Sequence, residues 1–421
     1  MQELEYSSAE AQRFYDAGNA VVAEMICRGV LDKAPADDAA KSLLARIAEE
    51  FGEPGLAEEV RTGRRSDRHA ARADGEKFLL IKAWGNGFFS DVDHVLGNLL
   101  LAEMTGRTPV IHWGRNSLFN PDRDRDAWGL FFEPVSRNGL DDLAGKGHDF
   151  WPPKWNEGNL REEKRNKIAG AWSRLSGLQM LHRPERVVVV DYFNGVPHLL
   201  KWLRPGHPLY RADATTAYRA LINKYLVVRA DIREEIDAFA GWWMPPDHRR
   251  PIIAVHVRAS DKHKEDPHLD QKNAVYPQVI AQIASRHQSV RVFLMTDSEA
   301  VRREFAARYG PALITTEAVR APGETGVHYM PEHTDRRRLG VEVLKDAYLA
   351  ARSDFFIGLG SSNVTCFVFH ARAWTPQNCL MIGPLMTLTC NPYLYMNHSQ
   401  LDAYLPPETM ERLRSVEREG G

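Results

Sequence analysis

Apolar residues recur at helical spacing from residue 8 to about 60, first through AEAQRFYDAGNAVVAEMICRGVL and then through DDAAKSLLARIAEEF. Pro35, Ala36 and Asp37 form a turn and cap between them, which predicts a helical hairpin. A lone hairpin reads as a cap on a larger body or as a contact between copies of the chain. Residues 61–76 are polar and basic without any period and read as a linker. The pattern then changes to strand alternating with helix. Residues 77–83 form an apolar strand, residues 84–90 a glycine turn (WGNGFFS), and Val92, Val95, Leu96, Leu99 and Leu100 lie along one helix face. A second strand at 108–113 completes a strand–helix–strand unit. Residues 115–185 carry no clear period, residues 186–192 (RVVVVDY) are a buried strand, and 213–240 are helical.

The pair Pro245–Pro246 then marks the best boundary between domains. Beyond it, strands are predicted at 252–257, 290–296, 312–316 and 354–359. Helices are predicted at 276–287, 299–309, 337–352 and 363–373, with a tail helix at 399–418. Repeated units of this kind imply parallel, doubly wound sheets. The expected fold is α/β with two Rossmann-type domains facing a cleft. Residues 1–70 form a helical extension, 71–247 one domain and 248–421 the other.

Composition narrows the partners. A formal net charge of −2 over 421 residues offers no global attraction for nucleic acid or an anionic membrane. The four cysteines show neither CxxC nor zinc spacing, which points to free thiols in a reducing, cytoplasmic setting. The start lacks the basic and apolar regions of a signal peptide, and no apolar run reaches the length of a membrane span. His263 and His268 near Asp266 and Asp270 match no metal-ligand spacing, so no metal is expected.

The chemistry concentrates at strand ends. The strand 252–257 delivers His256 and Arg258 at its carboxyl end, where open α/β sheets bind ligands. The fork of an arginine suits phosphate or carboxylate. Gly360, Ser361, Ser362 and Asn363 follow another strand and open a helix. That is an anion seat by dipole and free N–H groups, or else an ordinary serine cap. Asp346 shares a helix face with Leu339, Val343 and Ala350 and needs a partner. A guanine base would supply two adjacent donors, and Arg336–Arg338 are the competing partners. Asp297, in Thr296-Asp297-Ser298, either caps the next helix or lines the same site. Asp261, Lys262, Glu265 and Asp266 form a charged loop able to supply both a general base and a cation for a leaving diphosphate. Gly85 and Gly87 form a close-approach turn that lacks the third glycine of a dinucleotide fingerprint.

Together HVRASDK, the strand ending in TDS, RRRLGVEVLKDAYLAARSDFFIG and GSSN resemble the α1,6-fucosyltransferases, and more loosely the protein O-fucosyltransferases, over about 250–372. The resemblance implies a GT-B-like fold, a GDP-fucose donor, no cofactor, no metal, inversion at the anomeric carbon, and a glycan or protein acceptor. It implies guanine contacts by His256 and Asp346, a β-phosphate contact by Arg258, and phosphate contacts by Ser361 and Ser362. Asp261 and Lys262 match the family's acidic–basic pair, and the base falls at Glu265 or Asp266. Two positions depart from the family pattern. Ala259 stands where the animal enzymes carry a second arginine, and Asn363 stands in place of a glutamine.

Overall fold

The computed structural model describes residues 6–50, 54–63, 75–163 except 123, 177–383 except 192, 201 and 245–249, and residues 385, 407, 408 and 411. The centre of the expected linker, the Pro245–Pro246 boundary and nearly all of the expected tail helix lie outside these residues.

The N-terminal region contains four helices, Ser8–Asp16, Ala20–Lys33, Asp38–Glu50 and Pro54–Thr62, where the apolar period had suggested two. Gly18 turns the chain at φ 76°, a conformation that costs glycine little, and the Asn19 side chain accepts the Val22 N–H to restart the helix. A hydrophobic period runs through such a stop without registering it. Asp37 caps the third helix through the Ala40 N–H (2.8 Å) and accepts the Ser8 hydroxyl (2.6 Å). Met25, Ile26 and Cys27 are fully buried. Glu24, buried on the same helix, accepts from Arg28 and, at 3.0 Å, from Arg183 of the following region. A buried charge must be paired, and this pairing ties the helices to the α/β body.

Two parallel sheets follow. The first comprises β1 (Phe78–Lys82), β2 (Thr108–His112), β3 (Phe150–Trp151) and β4 (Val187–Val190), in the order β2-β1-β4-β3. The second comprises β5 (Ile252–Val257), β6 (Arg291–Thr296), β7 (Leu313–Ile314), β8 (Phe355–Leu359) and β9 (Cys379–Ile382), in the order β7-β6-β5-β8-β9. Every recorded strand pair is parallel. The strands β3 and β9 were not foreseen. A two-residue strand has no period to detect, and β9 is a four-residue apolar run lacking alternation.

Both sheets reverse direction at their first strand. From β1 the chain goes to β2 on one side and β4 on the other. From β5 it goes to β6 and then to β8 across the sheet. Such a switch point opens a crevice at the carboxyl ends of the strands. The helix Phe88–Thr105 leaves the β1 switch point, and Asn363–Ala371 leaves β8 beside the β5 switch point. Phe89 stacks on Phe367 at 4.3 Å between ring centres, joining these two helices.

The stretch expected as one helix at 213–240 is two, Ala214–Tyr225 and Ala230–Trp243. Between them Val228 bridges to Phe132, and the Glu133 N–H reaches Val227 O at 2.8 Å. The second of these helices packs on Arg336–Ala351 through Glu235, which receives Arg338 at 2.8 Å and Lys345 at 2.9 Å.

Two glycines test this packing with opposite signs. A Cβ on Gly97, within Phe88–Thr105, would collide with the Asn194 carbonyl, whereas one on Gly241 would meet nothing. Gly97→Ala is expected to lower unfolding stability by about 1–3 kcal/mol. Gly241→Ala, in a helix interior, is expected to raise it by about 0.5–1 kcal/mol, measured by urea unfolding.

Candidate functional site

A cavity of about 350 Å³ lies across the two switch points. From the second sheet it is lined by His256 and Arg258 after β5, Asp297 after β6, and Ser361, Ser362 and Asn363 after β8. Asp346 and the loop residues Asp261, Lys262 and Glu265 complete this wall. From the first sheet come Trp84, Asn86, Gly87 and Ser90. Of the residues singled out by sequence, Asp266, Gly85 and Gly360 do not line it. Gly85 shapes the turn at φ 80°, giving its N–H to Asp91 Oδ1 at 2.8 Å. Gly360 is pinned to β9 through Ile382 O at 2.9 Å.

The Arg258 guanidinium lies between two carboxylates. It donates to Asp297 and, at 2.9 Å, to Asp261 Oδ1. Asp297 also accepts the Ser260 hydroxyl and the Ala259 N–H (3.0 Å). Burial pushes the Asp297 carboxyl up, but Arg258 and these hydrogen bonds outweigh it and leave it below the usual carboxylate range. Ser260 stands at φ 39°, a sparsely populated region for a residue with a Cβ, and Asp297 holds it there. In Thr296-Asp297-Ser298 the two expected roles are divided. Ser298 caps the helix Glu299–Tyr309 by accepting Val301 N–H, and Asp297 faces the cavity.

At the start of the helix Asn363–Ala371, ordinary capping is absent. Ser362 occupies the cap position without a side-chain hydrogen bond. Ser361 Oγ and Asn363 Oδ1 are buried without a partner among the described residues. Buried polar atoms are almost always satisfied, so two orphans at a helix amino-terminus on the wall of a cavity leave hydrogen-bonding capacity there that a ligand could use. Gly358 permits this geometry, since a side chain there would strike Thr365, and Gly358 is the register partner of His256. Thr365 Oγ1 sits 2.8 Å from His256 Nδ1, and Nε2 has no partner among the described residues. Burial, reinforced by Arg258, lowers His256 to about 3, so its ring is neutral near pH 7.

Asp346 Oδ1 accepts the Thr316 hydroxyl at 2.7 Å. The arginines expected to compete for it are engaged elsewhere. Arg336 holds the His328 carbonyl, Arg337 holds Asp231, and Arg338 holds Glu235 and Glu342. Burial raises the Asp346 carboxyl to about 6, against the Thr316 hydrogen bond and the charge of Arg320.

The loop carboxylates separate clearly. Asp266 is buried, receives Lys272 Nζ at 2.7 Å and the His268 N–H at 3.1 Å, and does not line the cavity. Glu265 is 65% exposed at its side chain, lines the cavity and meets Lys262 Nζ at 2.5 Å. Gly326 lets a neighbouring loop approach, because a Cβ there would lie 2.9 Å from the Asp261 carboxyl. That loop brings His328 and Tyr329 to the cavity, residues that no motif in the sequence had marked. Val319 and Glu342 were likewise missed. Glu342 holds the loop by accepting the Val319 N–H at 2.9 Å. Its position one turn before Asp346, on the same helix, was the signal available. Gly87 begins the helix Phe88–Thr105 without a side-chain cap, so a second helix amino-terminus faces the cavity. Among the described residues no group of three or more His, Cys, Asp or Glu is arranged to hold a metal ion, and no helix is long and apolar enough to cross a membrane.

No protein-family model matches the chain, and no curated protein matches it. Among solved structures, the chain is similar to the NodZ alpha-1,6-fucosyltransferase co-crystallised with GDP. That pair shares 22% identity over 74% of this chain and 97% of the other, with a TM-score of 0.49. It is also similar to a mutant of Arabidopsis thaliana FUT1 in complex with GDP (14% identity, 82% and 79% covered, TM-score 0.45). A third is POFUT1 in complex with GDP (17%, 74% and 100%, TM-score 0.41).

Asp297→Ala is expected to unfold the chain about 1–3 kcal/mol more easily in urea, since it leaves the Ala259 N–H unpaired and Arg258 with Asp261 as its remaining carboxylate. A change under about 1 kcal/mol, the level of a solvated surface pair, would show that Asp297 does not hold this corner.

Proposed function

We propose that the chain is an inverting glycosyltransferase of GT-B-like plan, which takes fucose from GDP-fucose and passes it to a glycan or protein acceptor. The observation that carries the reading is the unsatisfied Ser361 hydroxyl at an uncapped helix end, in one cavity with Arg258 and the buried Asp346 carboxylate. A helix end and an arginine suit a diphosphate. A carboxylate freed from its neighbouring arginines suits the N1–H and N2–H donors of guanine. The sequence resemblance supports GDP and fucose in particular. On this reading residues 248–421 hold the donor and 71–247 the acceptor.

The reaction is a single displacement. The acceptor hydroxyl oxygen attacks the anomeric carbon as the bond from that carbon to the β-phosphate oxygen breaks, and its proton passes to Glu265. Glu265 takes this role over Asp266 because it lines the cavity and reaches solvent, whereas Asp266 is committed to Lys272. Arg258, Ser361 and the helix end hold the charge that collects on the departing diphosphate. Lys262 holds Glu265 in place, and Asp261 and Asp297 fix the angle of Arg258.

Thermal-shift titration with GDP, UDP, CMP and dTDP is expected to show stabilisation by GDP above the rest, and GDP-fucose is expected to be hydrolysed slowly without acceptor. Stabilisation by UDP and not by GDP would sink the assignment. Ser361→Ala is expected to leave the empty protein as stable as the parent, because the hydroxyl has no partner to lose among the described residues. It should weaken GDP binding by roughly fivefold, the equivalent of about 1 kcal/mol.

The Asp346 carboxyl sets a pH dependence. Its raised value means the empty folded state binds this proton more tightly than the unfolded chain does. Stability of the empty protein from this group therefore falls as pH rises from about 4, its ordinary value, through about 6. Guanine requires the ionised form, so GDP affinity should rise over the same window. Asp346→Asn should remove that dependence and weaken GDP binding by roughly 10–100-fold, as read by calorimetric titration.

A further inference from the structure

We propose that Tyr329 is a specificity-determining residue for the acceptor, a fixed ledge on which a saccharide ring stacks at the mouth of the switch-point cavity. This rests on the glycosyltransferase reading, in which the acceptor enters at that mouth. Tyr329 lines the cavity and yet is 52% exposed, one of three large hydrophobic side chains so exposed among the described residues. The other two, Val227 and Trp242, do not line the cavity. Burial, with the charges of Asp261 and Glu265, pushes the Tyr329 hydroxyl pKa up. The ring is thus within electrostatic reach of the carboxylate read as the base, and its hydroxyl stays protonated near pH 7.

An exposed ring on a loose loop would select little, but this one is braced. It leans on His328 at 4.2 Å between ring centres, and His328 lies 6.4 Å from Phe119, a buried residue of the stretch after β2. Rings from both halves of the molecule therefore back the ledge. Arg336 donates to the carbonyls of His328 at 2.8 Å and Met330 at 3.3 Å. The Tyr329 and Met330 N–H groups close a turn on Gly326 O at 2.9 Å and Val327 O at 3.1 Å. A ligand that meets such a ring loses little entropy in ordering it. The same bonds choose between acceptor classes. Extended peptides are held through main-chain hydrogen bonds, and these N–H and C=O groups are already engaged within the loop or by Arg336. What the ledge presents is a flat apolar face and one hydroxyl, the complement of a pyranose ring with its C–H face and its rim of hydroxyls. Glu265, exposed on the same cavity, is there to meet the hydroxyl that attacks.

Calorimetric titration of cellotetraose, mannotetraose and chitotetraose into the full-length chain, with and without GDP, tests the ledge, beside a peptide rich in serine and threonine. Saturable binding of at least one saccharide is expected. Tyr329→Ala should weaken it about tenfold, a larger loss than GDP suffers, and Tyr329→Phe should keep most of it. In turnover with GDP-fucose, Tyr329→Ala should raise KM for that saccharide by about tenfold and change kcat far less. Equal losses for saccharide and GDP would show a disturbed loop and overturn the proposal. So would saccharide affinity unmoved by Tyr329→Ala, binding of none of the three, or binding of the peptide in their place. Failure of GDP to bind would instead strike the donor reading, and the titrations without GDP would decide the ledge.

Discussion

The arrangement depends first on the carboxylate of Asp297, where β6 ends beside β5. It receives the guanidinium of Arg258, the hydroxyl of Ser260 and the N–H of Ala259. Those three groups belong to the chain leaving β5 in the direction of the charged loop. One half-buried acceptor thus aims the arginine, supports the unfavourable backbone of Ser260 and sets the path of Asp261, Lys262 and Glu265. Opposite charge outweighs burial here, which is why Asp297 stays ionised while Asp346, lacking an adjacent cation in contact, is driven towards its neutral form. Two carboxyls in one cavity acquire different roles through their surroundings alone.

Much of the second half was legible. Strand ends carrying His256, Arg258 and Asp297, and a helix opened by Ser361-Ser362-Asn363, are local patterns. A parallel sheet with a switch at β5 brings local patterns of that kind to one edge. Whether Ser362 capped its helix, and whether Asp346 met Arg336–Arg338, were questions of side-chain direction that spacing cannot answer. Which of Glu265 and Asp266 lines the cavity was a question of the same type. Glu265 does, and Asp266 is held by Lys272, six residues on. His328 and Tyr329 were invisible for another reason. They reach the cavity on a loop without period, admitted by the missing side chain of Gly326.

The first half was legible as elements more than as a site. The strand–glycine turn–helix unit at β1 was correctly anticipated, because burial on both faces leaves a plain apolar run. The break at Gly18 and Asn19 was also written locally, in residues that stop and cap helices, but a hydrophobic period carries no such information. Arg107 lies further from reach. It donates to the carbonyls of Phe78, Arg183, Glu185 and Arg186, so its meaning exists only once three segments distant in sequence have met.

The two halves do not form the cavity independently. Phe89 and Phe367 stack one residue and four residues inside the two helices whose amino-termini face it. Gly340 adds a second point of approach. A side chain there would strike Phe131, and its absence lets the Asp346 helix close on Phe131 and Phe88. Phe88 is the first residue of the helix that leaves the β1 turn. A shift at either contact would therefore move the Gly87 turn relative to Ser361 and Asp346 together. The shape of the cavity wall at the second sheet and the position of the first sheet's turn are then linked through packed aromatic rings. Such rings change by discrete repacking and not by gradual deformation.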